Sequence, residues 1–251
     1  MTFIIAEAGV NHNGSIELAR HLISVAKACG ADAVKFQLFR ADQLGRPEIK
    51  HLELTYANII DLYGRCRAQE IEFMCTPFDL EAMSFLVPLL KRVKIASGCI
   101  ANVPLLEAAC DSHLPVVLST GMAKMGDVAF ALDILGGATL LHCTSAYPCP
   151  LQDVNLRAMR TLGDHFKLPV GYSDHTDGII VPLAAVGMGA GIIEKHLTLS
   201  RAADGPDHLS SLEPKAFAEM VSHIRSIDVA MGDGDKRPMP SEDPVRQIWG
   251  R

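Results

Sequence analysis

The sequence predicts a (β/α)8 TIM barrel of the α/β class, built as a single domain. Short, β-rich apolar segments alternate with longer amphipathic segments eight times along the chain. The 251 residues, 49% of them hydrophobic, suffice for one large core, and barrels of this class often have about this length. The composition shows no break that would divide the chain into two domains. We therefore treat residues 1–251 as one barrel domain with a tail from about residue 232.

Each predicted strand is short and apolar throughout, as expected for strands of a parallel sheet that are buried on both faces. The predicted strands are FIIAE (3–7), AVKFQ (33–37), EFMCT (72–76), VKIAS (93–97), VVLST (116–120), LLHCT (140–144), PVGYS (169–173) and IIEKH (192–196).

The segments between these strands carry apolar residues three or four positions apart, which is typical of amphipathic helices. The first of them ends at a glycine, a common helix terminator. Pro88 is expected to kink the third helix or end it early. The predicted helices cover residues 15–30, 54–69, 79–90, 104–112, 125–137, 153–163, 180–190 and 213–232.

A doubly wound open sheet would also alternate strands with helices, and it is the structural alternative. The sequence contains no Rossmann or P-loop glycine fingerprint. The closed barrel is therefore the favoured interpretation.

Composition and charge exclude several classes of function. The net charge of −6 and the pI of about 5.9 give no electrostatic reason to bind nucleic acid or an anionic membrane. No apolar run approaches the ~20 residues that span a bilayer, and the N-terminus lacks the basic region of a signal peptide. The seven cysteines include no C-x-x-C pair, which favours thiols in a reducing cytosol. We expect a cytoplasmic protein.

Polar residues collect at the predicted carboxyl ends of the strands, where the active site of a barrel lies. A charged side chain inside an apolar strand needs a partner or a function. The strand-end residues are Glu7, Lys35, Gln37, Thr76, Lys94, Ser97, Ser119, Thr120, His142, Thr144, Ser145, Ser173, Asp174, His175, Glu194 and His196.

Several interpretations of these residues stay open from chemistry alone. His175 and His196 end neighbouring strands, so they could be structural or could share one metal ion. Lys35 and Lys94 could be neutralised by Glu7 or Glu194, could hold a phosphate or carboxylate, or could form a Schiff base. The serines are suitable donors to phosphate oxygens. Together they indicate an enzyme acting on a small anionic molecule.

An ordered series of motifs runs from about residue 3 to residue 242 and resembles the sialic acid synthase family. This family comprises the N-acetylneuraminate synthases and their relatives that make legionaminic, pseudaminic and similar nonulosonic acids. The motifs are IIAEAGVNHNG, ADAVKFQ, CTPFD, VKIASG, NVPLL, VVLSTGM, LLHCTSAYP, GYSDHT, EKHLTL and GPDHLSSLEP.

The resemblance implies a barrel that condenses phosphoenolpyruvate with the open-chain aldehyde of an N-acetylated hexose, assisted by Mn²⁺ or Mg²⁺. By position in the motifs, His175 and His196 correspond to metal ligands. Lys35 and Lys94 correspond to the cations that hold phosphoenolpyruvate. Glu7 corresponds to an acidic residue near the metal, suited to proton handling or to placing the attacking water.

The resemblance also implies substrate contacts around these residues. The phosphate-side hydroxyls and the sugar-facing residues match family positions that contact the two substrates. The hydroxyl positions are Thr76, Ser97, Ser119, Ser145 and Ser173, and the sugar-facing positions are Gln37, Tyr147 and Asp207.

Two departures from the family pattern stand out. Cys99 replaces an acidic residue, so one carboxylate of the expected sugar pocket is missing. The chain ends at PVRQIWGR, whereas most members continue into an antifreeze-like domain that covers a partner's active site. We expect a short form, either capped by a separate protein or holding its substrate differently, and a homodimer is the other partner expectation. The functional alternatives are a Schiff-base aldolase and a non-catalytic sugar-binding or regulatory barrel.

Overall fold

The computed structural model describes residues 1–250, and its eight strands form a parallel barrel. Each strand is continuously buried or nearly so, which fits the apolar runs of the sequence. The strands are β1 (Phe3–Gly9), β2 (Ala33–Leu38), β3 (Glu72–Pro77), β4 (Val93–Ile95), β5 (Val116–Ser119), β6 (Thr139–His142), β7 (Val170–Asp174) and β8 (Ile192–His196).

A helix follows each strand and covers the outside of the barrel. Side chains cap several of these helices, for example Thr55, whose hydroxyl accepts the Asn58 N–H at 3.1 Å. Over residues 1–250 the helices are α1 (Ile16–Ala28), α2 (Tyr56–Ala68), α3 (Leu80–Leu86), α4 (Val103–Asp111), α5 (Met125–Leu135), α6 (Arg157–Phe166), α7 (Ile180–Gly187), α8 (Pro214–Met231) and α9 (Asp243–Ile248).

The strand order around the sheet is β3-β2-β1-β8-β7-β6-β5-β4. β1 lies between β2 and β8, so the first and last strands of the chain pair directly, with Glu7 opposite His196. β3 and β4 face each other without a hydrogen-bonded ladder in the part of the chain described. The barrel is therefore nearly closed, with one seam between β3 and β4, and the prediction of a (β/α)8 barrel is confirmed.

Two apolar layers hold the barrel together. The lower part of the barrel interior is filled by side chains from six strands, among them Ile5, Met74, Val117, Leu141 and Ile192. A larger layer packs the outward faces of the strands against the helices. With its lower part filled, the barrel leaves space for a site at the carboxyl ends of the strands.

The ends of the predicted strands lie within two residues of the observed ends. Some predicted helices differ from the observed ones at their ends, where residues that interrupt a helix are found. Pro88 lies in a 3-10 turn, Val87–Leu89, so α3 ends at Leu86 as predicted. α6 begins at Arg157 rather than near 153, because Asn155 adopts a left-handed φ of 44°. The predicted tail contains α9, and its last residue, Arg251, lies outside the described residues.

All seven cysteines, which fall within the described residues, are free thiols. None of the helices within residues 1–250 combines the length and the apolar character needed to cross a bilayer.

Candidate active site

A cavity of about 450 Å³ opens at the carboxyl ends of the strands. Thr120, His142, Thr144 and Asp174, which the sequence also placed at strand ends, do not line it. The structure brings to its wall all thirteen residues that the sequence assigned a catalytic, metal-binding or substrate-binding role, although the role of each stays a prediction. These residues are Glu7, Lys35, Gln37, Thr76, Lys94, Ser97, Ser119, Ser145, Tyr147, Ser173, His175, His196 and Asp207.

Strand alternation explains why these side chains converge. Successive residues of a strand point to opposite faces, so Glu194 and His196 of β8 line the cavity while Lys195 between them does not. In the same way Ser173 of β7 and His175 just after it face the cavity, on either side of Asp174.

The floor of the cavity is a buried cluster of two lysines and two carboxylates. The Nζ of Lys35 lies 2.8 Å from Glu7 Oε2 and 3.6 Å from Glu194 Oε2. The Nζ of Lys94 lies 3.9 Å from Glu194 Oε1 and donates a hydrogen bond to Ser119 Oγ at 2.7 Å. All four residues are at most 5% exposed, so their charges interact with little screening by water.

The two carboxyl groups of this cluster have opposite pKa shifts. Burial raises the pKa of Glu7 to about 7, against the opposing attraction of Lys35. Burial acts on Glu194 in the same sense, but the nearby Lys35 and Lys94 outweigh it and lower its pKa to about 2. Glu7 is therefore the carboxyl group that can gain and lose a proton near neutral pH, while Glu194 stays ionised.

The two lysines also differ. Burial disfavours the charge on Lys35, yet Glu194 and Glu7 outweigh this effect and raise its pKa. Burial lowers the pKa of Lys94, and the attraction of Glu194 compensates for only part of the shift. Lys35 is a permanent cation, and Lys94 is the more easily deprotonated amine.

Two imidazoles lie beside this cluster, with ring centroids 5.5 Å apart. Nδ1 of His175 lies 2.8 Å from the carbonyl oxygen of Thr144. Because a carbonyl only accepts, Nδ1 carries the proton, and the lone pair is on Nε2. Nδ1 of His196 lies 3.6 Å from Asp207 Oδ2, and it is buried without a hydrogen-bond partner among residues 1–250.

Burial lowers the pKa of both His175 and His196 to about 4, so both rings are neutral at neutral pH. The neutral imidazole is the form that binds metals. Within the described residues, no group of three or more His, Cys, Asp or Glu side chains is arranged to hold a metal ion. The unpartnered nitrogen and the two neutral rings fit an open two-histidine site whose other ligands come from water or substrate oxygens.

Serine hydroxyls lie around the lysines on the side of the cavity formed by β4, β5 and β6. Ser97 Oγ accepts the backbone N–H of Gly121 at 3.0 Å. A Cβ on Gly121 would lie only 2.4 Å from Ser145 Oγ, so a larger residue here would displace this hydroxyl. The close packing keeps the hydroxyls of Ser97 and Ser145 near the backbone of the β5 loop, as an anion cradle requires.

The sequence interpretation did not assign two features of the cavity. Glu194 was considered, with Glu7, as a possible neutralising partner of the lysines, but it was given no role in the site, and its position between both lysines depends on the barrel geometry. The mouth also has an apolar wall, formed mainly by the segment after β2, which shows no strand or helix periodicity, with one residue each from the loops after β1 and β3. The wall consists of Val10, Phe39, Leu44, Ile49, Leu52 and Phe78.

Cys99 lies away from the cavity. It ends the 3-10 turn Ser97–Cys99, it is 7% exposed, and it packs in the apolar layer with Leu105 and Leu118. Ser97 and Gly98 of the same turn do line the cavity. Position 99 therefore contributes to packing under β4 rather than to the cavity wall.

The fold and the charged cavity define the class of the protein: a (β/α)8 barrel with a strand-end site suited to a small anionic molecule. Comparison with known sequences then identifies the family. The sequence profile of the NeuB family matches residues 22–236. The chain belongs to the NeuB family.

Named relatives and a solved structure agree with this assignment. The chain is 46% identical to the N,N'-diacetyllegionaminic acid synthase of Legionella pneumophila, covering 99% of this chain and 78% of that protein. It is 36% identical to the human N-acetylneuraminate-9-phosphate synthase, covering 99% and 76%. The crystal structure of the N-acetylneuraminic acid synthetase of Leptospira borgpetersenii in complex with citrate superposes with a TM-score of 0.93 at 38% identity, covering 99% of this chain and 91% of that one.

Proposed function

We propose that the protein condenses phosphoenolpyruvate with the open-chain aldehyde of an N-acetylated hexose or a related sugar. The products are a nonulosonic 2-keto-3-deoxy acid and inorganic phosphate. The observation that carries this proposal is the buried Lys35–Glu7–Glu194–Lys94 cluster next to two neutral imidazoles. The synthase names of the relatives support the same reaction class. A cytoplasmic location, and a homodimer or a separate capping protein, belong to the same proposal.

The proposed reaction forms one C–C bond and breaks one C–O bond of phosphoenolpyruvate. C3 of phosphoenolpyruvate attacks the aldehyde carbon, forming the new C–C bond, and the aldehyde oxygen takes up a proton. Water adds to C2 and gives up a proton. Cleavage of the bond between C2 and the phosphate oxygen, with transfer of the C2 hydroxyl proton to the departing phosphate, then leaves the keto acid and inorganic phosphate.

The residues of the cavity suit these steps. Lys35 and Lys94 hold the carboxylate and phosphate of phosphoenolpyruvate, and the surrounding hydroxyls orient the phosphate oxygens. Glu7, with its pKa of about 7, is matched to moving a proton to or from the attacking water. Gln37 Nε2 donates to Glu7 Oε1 at 2.9 Å and fixes the direction of that carboxyl group.

His175 and His196 would hold the divalent metal, Mn²⁺ or Mg²⁺. When bound, the metal supplies Lewis-acid polarisation of the aldehyde. The ring of Tyr147 packs 4.2 Å from the His175 ring and borders the same end of the cavity, where we place the sugar with Asp207. The apolar wall at the mouth offers contact area for the methyl group of an N-acetyl substituent.

The experiment is a phosphate-release assay with phosphoenolpyruvate, Mn²⁺ and a panel of aldoses. The panel includes N-acetylmannosamine, its 6-phosphate and a diacetamido hexose. We expect release that needs one sugar and the metal. Lys94→Gln should lower kcat/KM by at least about 100-fold, and His196→Ala should abolish Mn²⁺-dependent release. Lys91→Gln and His223→Ala, at exposed positions, are the matched controls and should behave as wild type.

Binding of phosphoenolpyruvate without phosphate release from any sugar would favour the non-catalytic barrel instead. A second catalytic candidate is a Schiff-base aldolase, which the lowered pKa of Lys94 favours. Borohydride reduction in the presence of pyruvate tests it directly. A trapped adduct on Lys94 would support the aldolase and contradict the synthase.

A further inference from the structure

A fully buried ion pair lies behind the two imidazoles, on the opposite face of β7 and β8 from the cavity. Lys195 Nζ lies 2.6 Å from Asp174 Oδ2, and both side chains are 0% exposed. Asp174 and Lys195 are also direct register partners in the β7–β8 ladder. The pair therefore ties the two strands together at the level where they reach the cavity.

Each member of this pair immediately precedes a histidine. His175 follows Asp174, and His196 follows Lys195. Because neighbouring strand residues point to opposite faces, the contact that fixes Asp174 against Lys195 on one face also fixes the spacing of the two imidazoles on the other.

The loop after β7 is held by the same pair. Thr176 donates hydrogen bonds to Asp174 Oδ1, from its hydroxyl at 2.9 Å and from its backbone N–H at 3.2 Å. Lys195 donates a further hydrogen bond to the carbonyl oxygen of Thr176. His175 lies between two residues that Lys195 contacts, so its backbone is held on both sides.

The imidazoles differ in how their own side chains are anchored. His175 donates to Thr144, whereas Nδ1 of His196 has no hydrogen-bond partner in the described part of the chain. The position of His196 therefore depends on the β8 backbone, which β1 holds on one side and β7 on the other, and the ion pair acts on the β7 side.

A buried ion pair is by itself weak evidence of a stabilising role. Removing two charges from water costs several kcal/mol per ion, and well-packed apolar replacements of buried ion pairs are often neutral or stabilising. What the pair provides in addition is a short, directional contact between two strand ends.

We propose that the Lys195–Asp174 ion pair is a positioning device that sets the spacing of His175 and His196, and thereby their joint affinity for the divalent metal. This inference rests on the proposed function. Neither residue lines the cavity, so both act through the histidines that follow them.

The test is the double variant Asp174→Asn/Lys195→Met, which removes both charges and leaves neither one unpaired. We expect it to fold and to bind Mn²⁺ about 10–100-fold more weakly, as is typical when the partners of metal ligands are changed. The electron paramagnetic resonance signal of free Mn²⁺ measures this affinity. The KM for phosphoenolpyruvate should stay unchanged, because Lys35 and Lys94 are untouched, whereas kcat should fall.

The matched control removes a second ion pair at the other end of the barrel. Arg92 Nε lies 2.7 Å from Glu72 Oε1, at the first residue of β3. Glu72→Gln/Arg92→Met should leave Mn²⁺ affinity at the wild-type value, whatever it does to stability.

Thr176→Val is a milder variant that keeps both charges and removes one hydrogen bond to Asp174. We expect about a fivefold loss of Mn²⁺ affinity, and this variant carries the test if the double variant does not fold. Wild-type Mn²⁺ affinity in a folded double variant, or in Thr176→Val if only that variant folds, would overturn the proposal. An equal loss in the Glu72/Arg92 control would overturn it too.

The experiments distinguish failure of the positioning role from failure of the proposed function. Wild-type protein that releases phosphate but binds no Mn²⁺ would overturn the positioning role and leave the synthase standing. Wild-type protein that binds Mn²⁺ but releases no phosphate from any sugar would contradict the synthase, while the comparison of Mn²⁺ affinities would still decide the positioning role.

Discussion

At the scale of single residues, burial and charge give chemically identical groups different properties. Glu7 and Glu194 both contact Lys35, at 2.8 and 3.6 Å. Glu194 also lies near Lys94 and accepts a hydrogen bond from Ser173 Oγ at 2.9 Å, so its charge is compensated more completely. Two carboxyl groups in one cavity thereby divide into a fixed anion and a group that titrates near neutrality, an arrangement that acid–base catalysis requires.

Burial also shifts the pKa of His12, and this shift makes the stability of the fold depend on pH. It is 0% exposed, its Nδ1 accepts the Gly14 N–H at 3.0 Å, and its Nε2 has no partner within residues 1–250. Burial lowers its pKa from 6.5 to about 4. Because the unfolded chain binds a proton more readily between these values, the stability that the neutral ring contributes is present above pH 6.5 and lost as the pH falls towards 4.

We expect the free energy of unfolding to fall by about 2 kcal/mol from His12 alone between pH 7 and pH 4.5. His12→Asn keeps an acceptor for Gly14 but cannot take up a proton, so it should reduce the acid-induced loss by this amount. Urea unfolding at the two pH values measures the difference, with exposed His223→Asn as control. An unchanged pH dependence in His12→Asn would contradict the assignment.

At the scale of elements, glycines show where packing is tight and where it is not. A Cβ on Gly171 in β7 would lie 2.5 Å from the backbone oxygen of Ile192 in β8. A Cβ on Gly64, in the middle of α2, meets nothing within 4 Å. The first glycine is required by the approach of two strands, and the second only weakens its helix.

We therefore expect opposite effects from the same substitution at these positions. Gly171→Ala should destabilise the protein by about 2 kcal/mol or more, because it forces β7 away from β8. Gly64→Ala should stabilise it by about 1 kcal/mol, through helix propensity. Urea unfolding of both variants decides the point, and destabilisation by Gly64→Ala or a neutral Gly171→Ala would contradict the packing described.

The same elements show how far the sequence could be interpreted. The strands could be located because burial on both faces leaves continuous apolar runs, and Lys35 and Lys94 were conspicuous as charges inside them. The pairing of Asp174 with Lys195 could not be predicted, because it depends on the register between β7 and β8. α9 was missed because Asp243–Ile248 is exposed throughout and shows no apolar periodicity.

At the scale of the whole molecule, hydrogen-bonded ladders join each strand of the barrel to its neighbours, except at the seam between β3 and β4. Five register pairs join β1 to β8, whereas β3 and β4 share no ladder within residues 1–250. The two lysines lie on opposite sides of this seam, Lys35 with Thr76 on the β2–β3 side and Lys94 with Ser119 on the β4–β5 side. In the proposed reaction, phosphoenolpyruvate binds both lysines and thus bridges the seam.

Phosphoenolpyruvate should accordingly stabilise the barrel where its ladder is interrupted. In the free protein we expect backbone amides of residues 72–78 and 93–99 to exchange with deuterium faster than those of β1 and β8, because local opening needs fewer broken hydrogen bonds. Saturating phosphoenolpyruvate should slow exchange in these two segments and leave α8 unchanged. Hydrogen–deuterium exchange mass spectrometry measures both effects, and Lys94→Gln should remove the ligand-induced protection. Protection confined to β7 and β8 would instead place the ligand at the histidines and contradict the assignment of the lysines.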